Sequence, residues 1–582
     1  MKLNKPAFGI VLFSLLAVVG CKKSKHGGPA DIALSLEEEQ VERPNDPINA
    51  KSIGFFLDDW SPKTFSPPAF DEFPKPSATI SATVHLDLST VITKVPKYIF
   101  GNNTNPYMEQ MVTAPVLIEH IRNLSPNVLR FPGGNISSIY FWNAAPGEKP
   151  ADAPDELFNE QGQEADAFYW YGKNNESWTL SLDNYYAALA QTGSTGIITV
   201  NYGYARYGTS NNPVAKAAHL AADWVRYDNG RTKFWEIGNE SAGVWQAGYR
   251  INTAHNKDGQ PQVVSGALYG EHFQVFVDSM KKAAAEVGSI IKIGGQLIQY
   301  NVVNSWESDV DRQWNSGFLT KAGNLADFFI VHSYFTPFNQ NSTPSVILNS
   351  AASETKSIMD WMKTTTQNAG AEMKPIALTE WNIFAVGSKQ SVSHVSGLHA
   401  TMVLGELLKN QFGMASRWDL ANGWDNGNDH GMFNKGDEPD GVAKWNPRPA
   451  FYHMYYFQKY FGDRMVPSTS SGSSIVSYAS SYSSGEAGVI LVNTGQSAQT
   501  VKITTKNFNP GNRYYWFTLA GDNDNNGFSR KVLINGTGPV GAAGGPSNYL
   551  SLKAFSASAK GEIKVSVPAM AAVYMVIENK NS

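Results

Sequence analysis

Two glutamates close apolar runs of this chain in the same way. KFWEIGNES, residues 233–241, leads through aromatic and branched side chains into Gly238-Asn239-Glu240, and PIALTEWNIF, residues 375–384, leads into Glu380. Each run reads as a buried strand that ends in a carboxylate. Paired carboxylates are what hydrolysis of a glycosidic bond requires: one protonates the leaving oxygen while the other attacks the anomeric carbon or activates water. At a separation of about 5–5.5 Å the attack is direct and the configuration is retained. Asn239 is placed where it could bind the sugar 2-hydroxyl, a contact that strengthens in the transition state. One Gly-Asn-Glu alone is a weak signal, since a turn with a helix-capping residue arises often by chance. Two strand-ending glutamates in matching positions are a stronger one.

Positioning such a pair needs a rigid frame, and the chain supplies the elements for one. Eight short β-rich runs recur: Tyr98-Gly101, Asn127-Phe131, Gly196-Tyr202, Lys233-Asn239, Ile290-Gly295, Asp327-Tyr334, Pro375-Trp381 and Ala415-Leu420. Helical stretches such as 182–191, 270–287, 353–366 and 393–409 lie between them. Strands alternating with helices argue for a parallel sheet, and eight such units make an α/β fold of the (β/α)8 TIM-barrel kind, expected over residues 95–450. Active sites of that fold sit at the C-terminal rim of the strands. Glu240 ends the fourth strand and Glu380 the seventh, three steps apart around the ring, so the two can face each other across the mouth. Long connections over 141–179 and 299–317 are expected to be functional loops.

The texture changes again near Met465. SSIVSYASSYSSGEAGVILVNTG, TVKITTKNF, NRYYWFTLA and IKVSVPAMAAVYMVI alternate apolar and polar residues with no helical period, which predicts an accessory C-terminal β-sandwich over 451–582. ATISATVHLDL, residues 78–88, has the same alternation, so the segment 77–94 is expected to add strands to that sandwich.

The N-terminus, MKLNKPAFGIVLFSLLAVVGCKKSK, places two lysines before an apolar stretch of about a dozen residues. A bilayer-spanning helix needs roughly 20 apolar residues, so this reads as an export signal. It runs into Cys21, the only cysteine of the 582 residues, and resembles a bacterial lipobox in which that cysteine is lipidated. The expectation is a signal peptide over 1–21, a lipid anchor at Cys21, a polar Pro-rich tether over 22–76 of which Phe55 to Trp60 can dock onto the folded body, and residence at the cell envelope, at the outer membrane. One cysteine leaves no disulfide and no thiolate metal site. A formal net charge of −4 without basic blocks gives nucleic acid no footprint. The Gly/Asn-rich stretch holding Asp419, Asp425, Asp429 and His430 lacks the ordered spacing of a calcium loop, so a flexible substrate loop is expected there, with no metal and no cofactor.

Beyond the glutamates, VLRFPGGNISSIYFWN, residues 128–143, closely resembles the Arg-Tyr-Pro-Gly-Gly segment of the family 51 α-L-arabinofuranosidases, with Phe131 for the tyrosine. TEWNIF resembles that family's Asp-Glu-Trp-Asn segment, with Thr379 for the aspartate. The likeness extends to the related families 39, 30 and 79 of glycoside hydrolase clan A and spans roughly residues 78–580. The resemblance implies a retaining hydrolase of plant or algal glycans with Glu240 as acid/base, of raised pKa, and Glu380 as ionised nucleophile. It also implies that Arg130 and Tyr334 bond the nucleophile, that His332 lies nearby, that Trp418 floors the sugar site, and that Asn102 and Asn103 contact substrate. Xylan-, glucuronide- and agar-type specificities stay open beside arabinofuranoside, as do transglycosylation and a non-catalytic glycan-binding lipoprotein. Trp245 and Trp424 read equally as sugar platforms or as packing.

Overall fold

A computed structural model describes residues 41–580, apart from 43, 305 and 306. The expected signal peptide, Cys21 and the first part of the expected tether lie outside the described residues. No described helix is long and apolar enough to cross a membrane.

Eight parallel strands close into a barrel: Gly101–Asn103, Val128–Phe131, Thr195–Val200, Phe234–Ile237, Lys292–Gln296, Phe328–Tyr334, Ile376–Asn382 and Met414–Arg417, here strands one to eight. They coincide with the eight runs expected from sequence. Strand one starts latest, at Gly101 instead of Tyr98, because Lys97–Ile99 forms a 3-10 turn before it. Each strand is followed by a helix of the outer ring, from Pro115–Leu124 after strand one to Pro449–Tyr460 after strand eight. That last helix moves the expected domain boundary: residues 451–460 complete the barrel, and the sandwich begins near Arg464. Within the loop expected over 299–317, Asp309 already opens a helix, Asp309–Ala322, started by a reciprocal capping box of Ser308 and Asp311.

The tether expectation fails from Ala50 on, while the docking expected of 55–60 is found. Ile53, Phe56 and Leu57 are buried against Tyr98, Val128, Phe234, Phe328 and Met414. Those last four residues open strands two, four, six and eight, so the segment plugs the bottom of the barrel, opposite the carboxylate rim. Its apolar side chains are what a solvated linker would not carry, and Ile376 ties it down with a backbone bond of 2.8 Å to Ser52. Farther on, Phe70–Glu72 pairs in parallel with Ala554–Ser556.

Two sheets, of nine and four strands, form the C-terminal sandwich, and strand Ala82–Asp87 sits in the smaller one. The strand Ala487–Asn493 is buried along its whole length because both faces of its sheet are covered. Val489 and Leu491 face the second sheet, whereas Ile490 and Val492 join the core shared with the barrel helices.

Candidate active site

Arg130 is the hub beneath the barrel mouth. Fully buried on strand two, it donates from Nε to Glu236 Oε2 at 2.6 Å and from Nη2 to Asn239 Oδ1 at 2.6 Å. Its Nη1 donates to Asn103 Oδ1 and to Glu380 Oε2, both at 3.1 Å. A planar guanidinium can hold strands one, two, four and seven together in this way, which a lysine ammonium could not. Thr199 adds a donor to Glu236 at 2.8 Å.

Above this layer the two rim glutamates meet. Glu380 Oε1 accepts from the Tyr334 hydroxyl at 2.7 Å. His332 Nδ1 lies 2.9 Å from Glu240 Oε1 and 3.8 Å from Glu380 Oε2, while its Nε2 lies 3.2 Å from Thr379 Oγ1. Trp245 Nε1 donates to Glu240 Oε2 at 3.0 Å. One oxygen of each glutamate and a nitrogen of His332 all fall within 4.8 Å of one another. Such a trio could reach a metal ion, but Glu380 already carries a buried arginine on one oxygen and a hydroxyl donor on the other. That donor set suits a bare carboxylate better than a metal ligand.

The local sequence explains the aim of both carboxylates. Gly238 has φ +76°, and a Cβ there would stand 2.7 Å from Tyr202 and 2.8 Å from Gln296. Only glycine turns strand four sharply enough to lift Glu240, itself at φ 40°, onto the rim. Gln296 holds the turn by accepting from the Ser241 N–H at 2.7 Å. The Pro-Gly-Gly turn after strand two serves Trp418: a Cβ on Gly134 would meet its ring at 2.6 Å, and Gly133 is likewise at positive φ.

These residues surround a cavity of about 960 Å³ lined by Glu240, Glu380, His332, Tyr334 and Trp418 together with Tyr107, Gln296 and Trp245. Asn239, Arg130 and Asn103 lie buried beneath it, and the Nδ2 of Asn239 is left without a partner. Asn102 and Asn103, expected to contact substrate, do not line the cavity: Asn103 spends its Oδ1 on Arg130 and its Nδ2 on the Thr379 and Ser416 carbonyls, and strand alternation turns Asn102 away from it, buried with neither side-chain polar atom bonded. The stretch expected as a flexible substrate loop is also pinned. Asp429 pairs with Arg448 at 2.7 Å, Asp419 accepts from Asn105 at 2.7 Å and Tyr107 at 2.9 Å, and Trp424 packs against Arg448 and Arg530. His430 alone of that group reaches the cavity, against Tyr334.

Proton affinities run opposite to the sequence expectation. Burial pushes the Glu240 carboxyl up, but the hydrogen bond and charge of His332, the Trp245 donor and Arg130 outweigh it, so its pKa falls below the ordinary value. For Glu380, burial and the charge of Glu240 outweigh His332, Arg130 and Tyr334, and its pKa rises. His332 stands closer to Glu240 than to Glu380, which decides the order. Glu236 and the Trp245 donor were not foreseen. The signal for Glu236 was an acid at an inward position of an otherwise apolar strand.

The model of the alpha-L-arabinofuranosidase 1 domain family matches residues 120–332, which carry Arg130, Asn239, Glu240 and His332. This chain resembles the family 51 glycoside hydrolases of clan A. An intracellular exo-alpha-(1->5)-L-arabinofuranosidase of Streptomyces lividans is 23% identical over 47% of this chain and 38% of its own length. A probable alpha-L-arabinofuranosidase C of Aspergillus terreus is 22% identical over 49% of this chain and 54% of its own length. The family 51-like chain therefore spans at most about half of these curated relatives. Its fold matches more widely. The Thermotoga maritima alpha-L-arabinofuranosidase superposes over 86% of this chain and all of its own, with TM-score 0.58 at 17% identity. A Paenibacillus polymyxa family 44 xyloglucanase does so at 0.55 and 14% identity, over 86% of this chain and 99% of its own.

Proposed function

We propose that this protein is a retaining glycoside hydrolase that removes α-L-arabinofuranosyl or closely related residues from plant or algal glycans. The observation that carries the reading is the facing pair Glu240 and Glu380, with oxygens within 4.8 Å and Arg130 fixed on Glu380. Inverting pairs stand farther apart, about 6.5–9.5 Å between carboxyl groups, to admit water between them, and so close an approach of two oxygens favours direct attack. Glu380 attacks the anomeric carbon as the glycosidic C–O bond breaks, and Glu240 gives its proton to the departing oxygen. Water then attacks the same carbon, Glu240 takes its proton, and the bond to Glu380 breaks. Arg130 and Tyr334 keep the nucleophile oriented, the free Nδ2 of Asn239 suits a bond to the sugar 2-hydroxyl, and Trp418 suits the apolar face of the ring.

The positive charge that develops on the sugar beside Glu380 favours the ionised form of that carboxylate, which suits it to act as the nucleophile. The test is turnover of a 4-nitrophenyl glycoside panel by the protein and by Glu380→Gln and Glu240→Ala. The reading requires loss of activity in Glu380→Gln and azide rescue of Glu240→Ala on activated substrates with retained configuration. Glycan binding without turnover on that panel and on polysaccharides would instead favour a binding protein.

Export and lipid anchoring at Cys21 are proposed on the N-terminal sequence. Cys21→Ser should abolish palmitate labelling and release the protein from the membrane fraction, and unchanged fractionation would remove the proposal.

A further inference from the structure

The cavity carries a charge pattern that the pairing of Glu240 with Glu380 does not require. Glu160 and Asp311 line it as well, which makes four carboxylates, and no described lining residue is a lysine or arginine. Arg130, the guanidinium beneath the floor, spends its donors on Glu236, Asn103, Glu380 and Asn239 and has no exposed surface. Arg448 is likewise buried, between Asp429 and Glu438. Other cations stand close by without lining the cavity: Lys435 over the Tyr107 ring, Arg250 against Gly162, and Arg417, buried behind the wall with its donors on the His430 carbonyl and Asn382. Glu160 lies on the tip of the hairpin formed by strands Glu156–Phe158 and Glu164–Asp166. Glu160 is the one acid of the turn at 159–163, and the strands behind it add Glu156, Glu164 and Asp166, all exposed. The apolar part of the wall is aromatic, with Trp245, Tyr300 and Phe338 exposed at 48%, 44% and 74%.

Uncharged sugar faces stack on such rings at no electrostatic cost, whereas a uronate or sulfate ester would enter a negative, partly desolvated space with no donor cation on its wall. We propose that the site selects uncharged glycan chains and rejects uronate- or sulfate-bearing ones, with Glu160 on the hairpin tip as a specificity-determining residue. This rests on the glycosidase reading and deepens it, since it removes glucuronide- and sulfated agar-type substrates from those left open by the sequence.

The test compares kcat/KM on two oligosaccharides that differ only in one branch sugar, neutral in one and a uronic acid in the other. The neutral one should be preferred by roughly tenfold or more at low salt. The preference should shrink in high salt, where the Debye length falls toward about 3 Å. Glu160→Lys should shrink it further and Glu160→Gln by an intermediate amount. Equal rates, or a preference that moves with neither salt nor Glu160→Lys, overturn the proposal. Calorimetric titration of Glu380→Gln with the same pair separates the two readings. Selective binding of the neutral sugar, with no turnover of either by the unaltered protein, sinks the hydrolase and leaves the charge selection standing. Equal binding of both, or binding of neither, sinks the charge selection.

Discussion

His332 bridges the two candidate carboxylates, and its removal should be read in a pH profile before it is read in a rate. Its proximity lowers the pKa of Glu240 more than that of Glu380. His332→Asn should therefore raise the Glu240 pKa and move the basic limb of kcat/KM to higher pH, because the acid keeps its proton longer. A limb that stays in place would show that the imidazole only fills space. Arg130 is more exposed to failure. Arg130→Lys keeps the charge but cannot serve Glu236, Asn239, Asn103 and Glu380 at once. It should lower kcat and cost roughly 3–5 kcal/mol of stability, the range for a buried pair left incomplete. Chemical denaturation beside single-turnover kinetics checks both. At this scale the sequence was legible where residue type and strand position coincided, as at Glu240, Glu380, Arg130, Tyr334 and Trp418. It was not legible where a three-dimensional neighbour decides. The order of the two glutamate pKa values depends on a histidine from strand six, and Asn102 and Asn103 were separable only through the strand's actual register.

At the scale of elements, the eight barrel strands were legible because each is a short apolar run bounded by turn residues and followed by a helical period. The plug at residues 53–57 was legible only in part, as a docking of 55–60 onto the folded body, because GFFL in a Pro-rich segment has too little length to show a period. Its apolar content was the available signal, and only the barrel bottom supplies the surface that buries it. Phe56 is wholly buried there, against Tyr98, Phe234 and Phe328, with ring centroids 6.2, 5.4 and 5.7 Å away. Phe56→Ala should cost about 3–5 kcal/mol and lower Tm. The kcat of the proposed hydrolysis, at a temperature well below the transition, should change little, since the rim lies at the other end of the strands. The opposite pattern is expected for Gly134→Ala. Its Cβ would press on Trp418 from 2.6 Å, and a residue at φ +59° is strained in any case. Activity should fall through KM and kcat together as the indole shifts. A Gly134→Ala protein with full activity would show that Trp418 does not shape the sugar site.

Across the whole molecule, barrel and sandwich meet through a chain of buried imidazoles that makes their union sensitive to acid. His453 on the last barrel helix lies 3.2 Å from His394, whose other nitrogen lies 2.9 Å from the Met570 carbonyl. Tyr574 of the sandwich lies 2.9 Å from His453 Nδ1. For these links to form together, each ring must donate from one nitrogen and accept at the other, which a protonated imidazole cannot do. Burial lowers the pKa of His394 to about 4 and that of His453 well below its ordinary value. His399 and His272, buried in the barrel, are lowered to about 3 and about 4. Each folded pKa lies below the unfolded value of 6.5, so the unfolded chain binds more protons in the interval between. The stability these groups contribute is complete above pH 6.5 and declines as pH falls toward 4, by about 1.4 kcal/mol per unit at most for each histidine. His430, lowered to about 4, adds to this fall, whereas Asp429, which burial raises to about 6, offsets part of it, and carboxylates with lowered folded pKa values, such as Asp59, act only at lower pH. Tm should therefore drop steeply between about pH 6.5 and pH 5. In the double variant His394→Gln/His453→Gln the protein should be less stable at neutral pH, yet lose less on acidification. If its pH dependence matched that of the unaltered protein, the acid sensitivity would have to originate away from the barrel–sandwich seam.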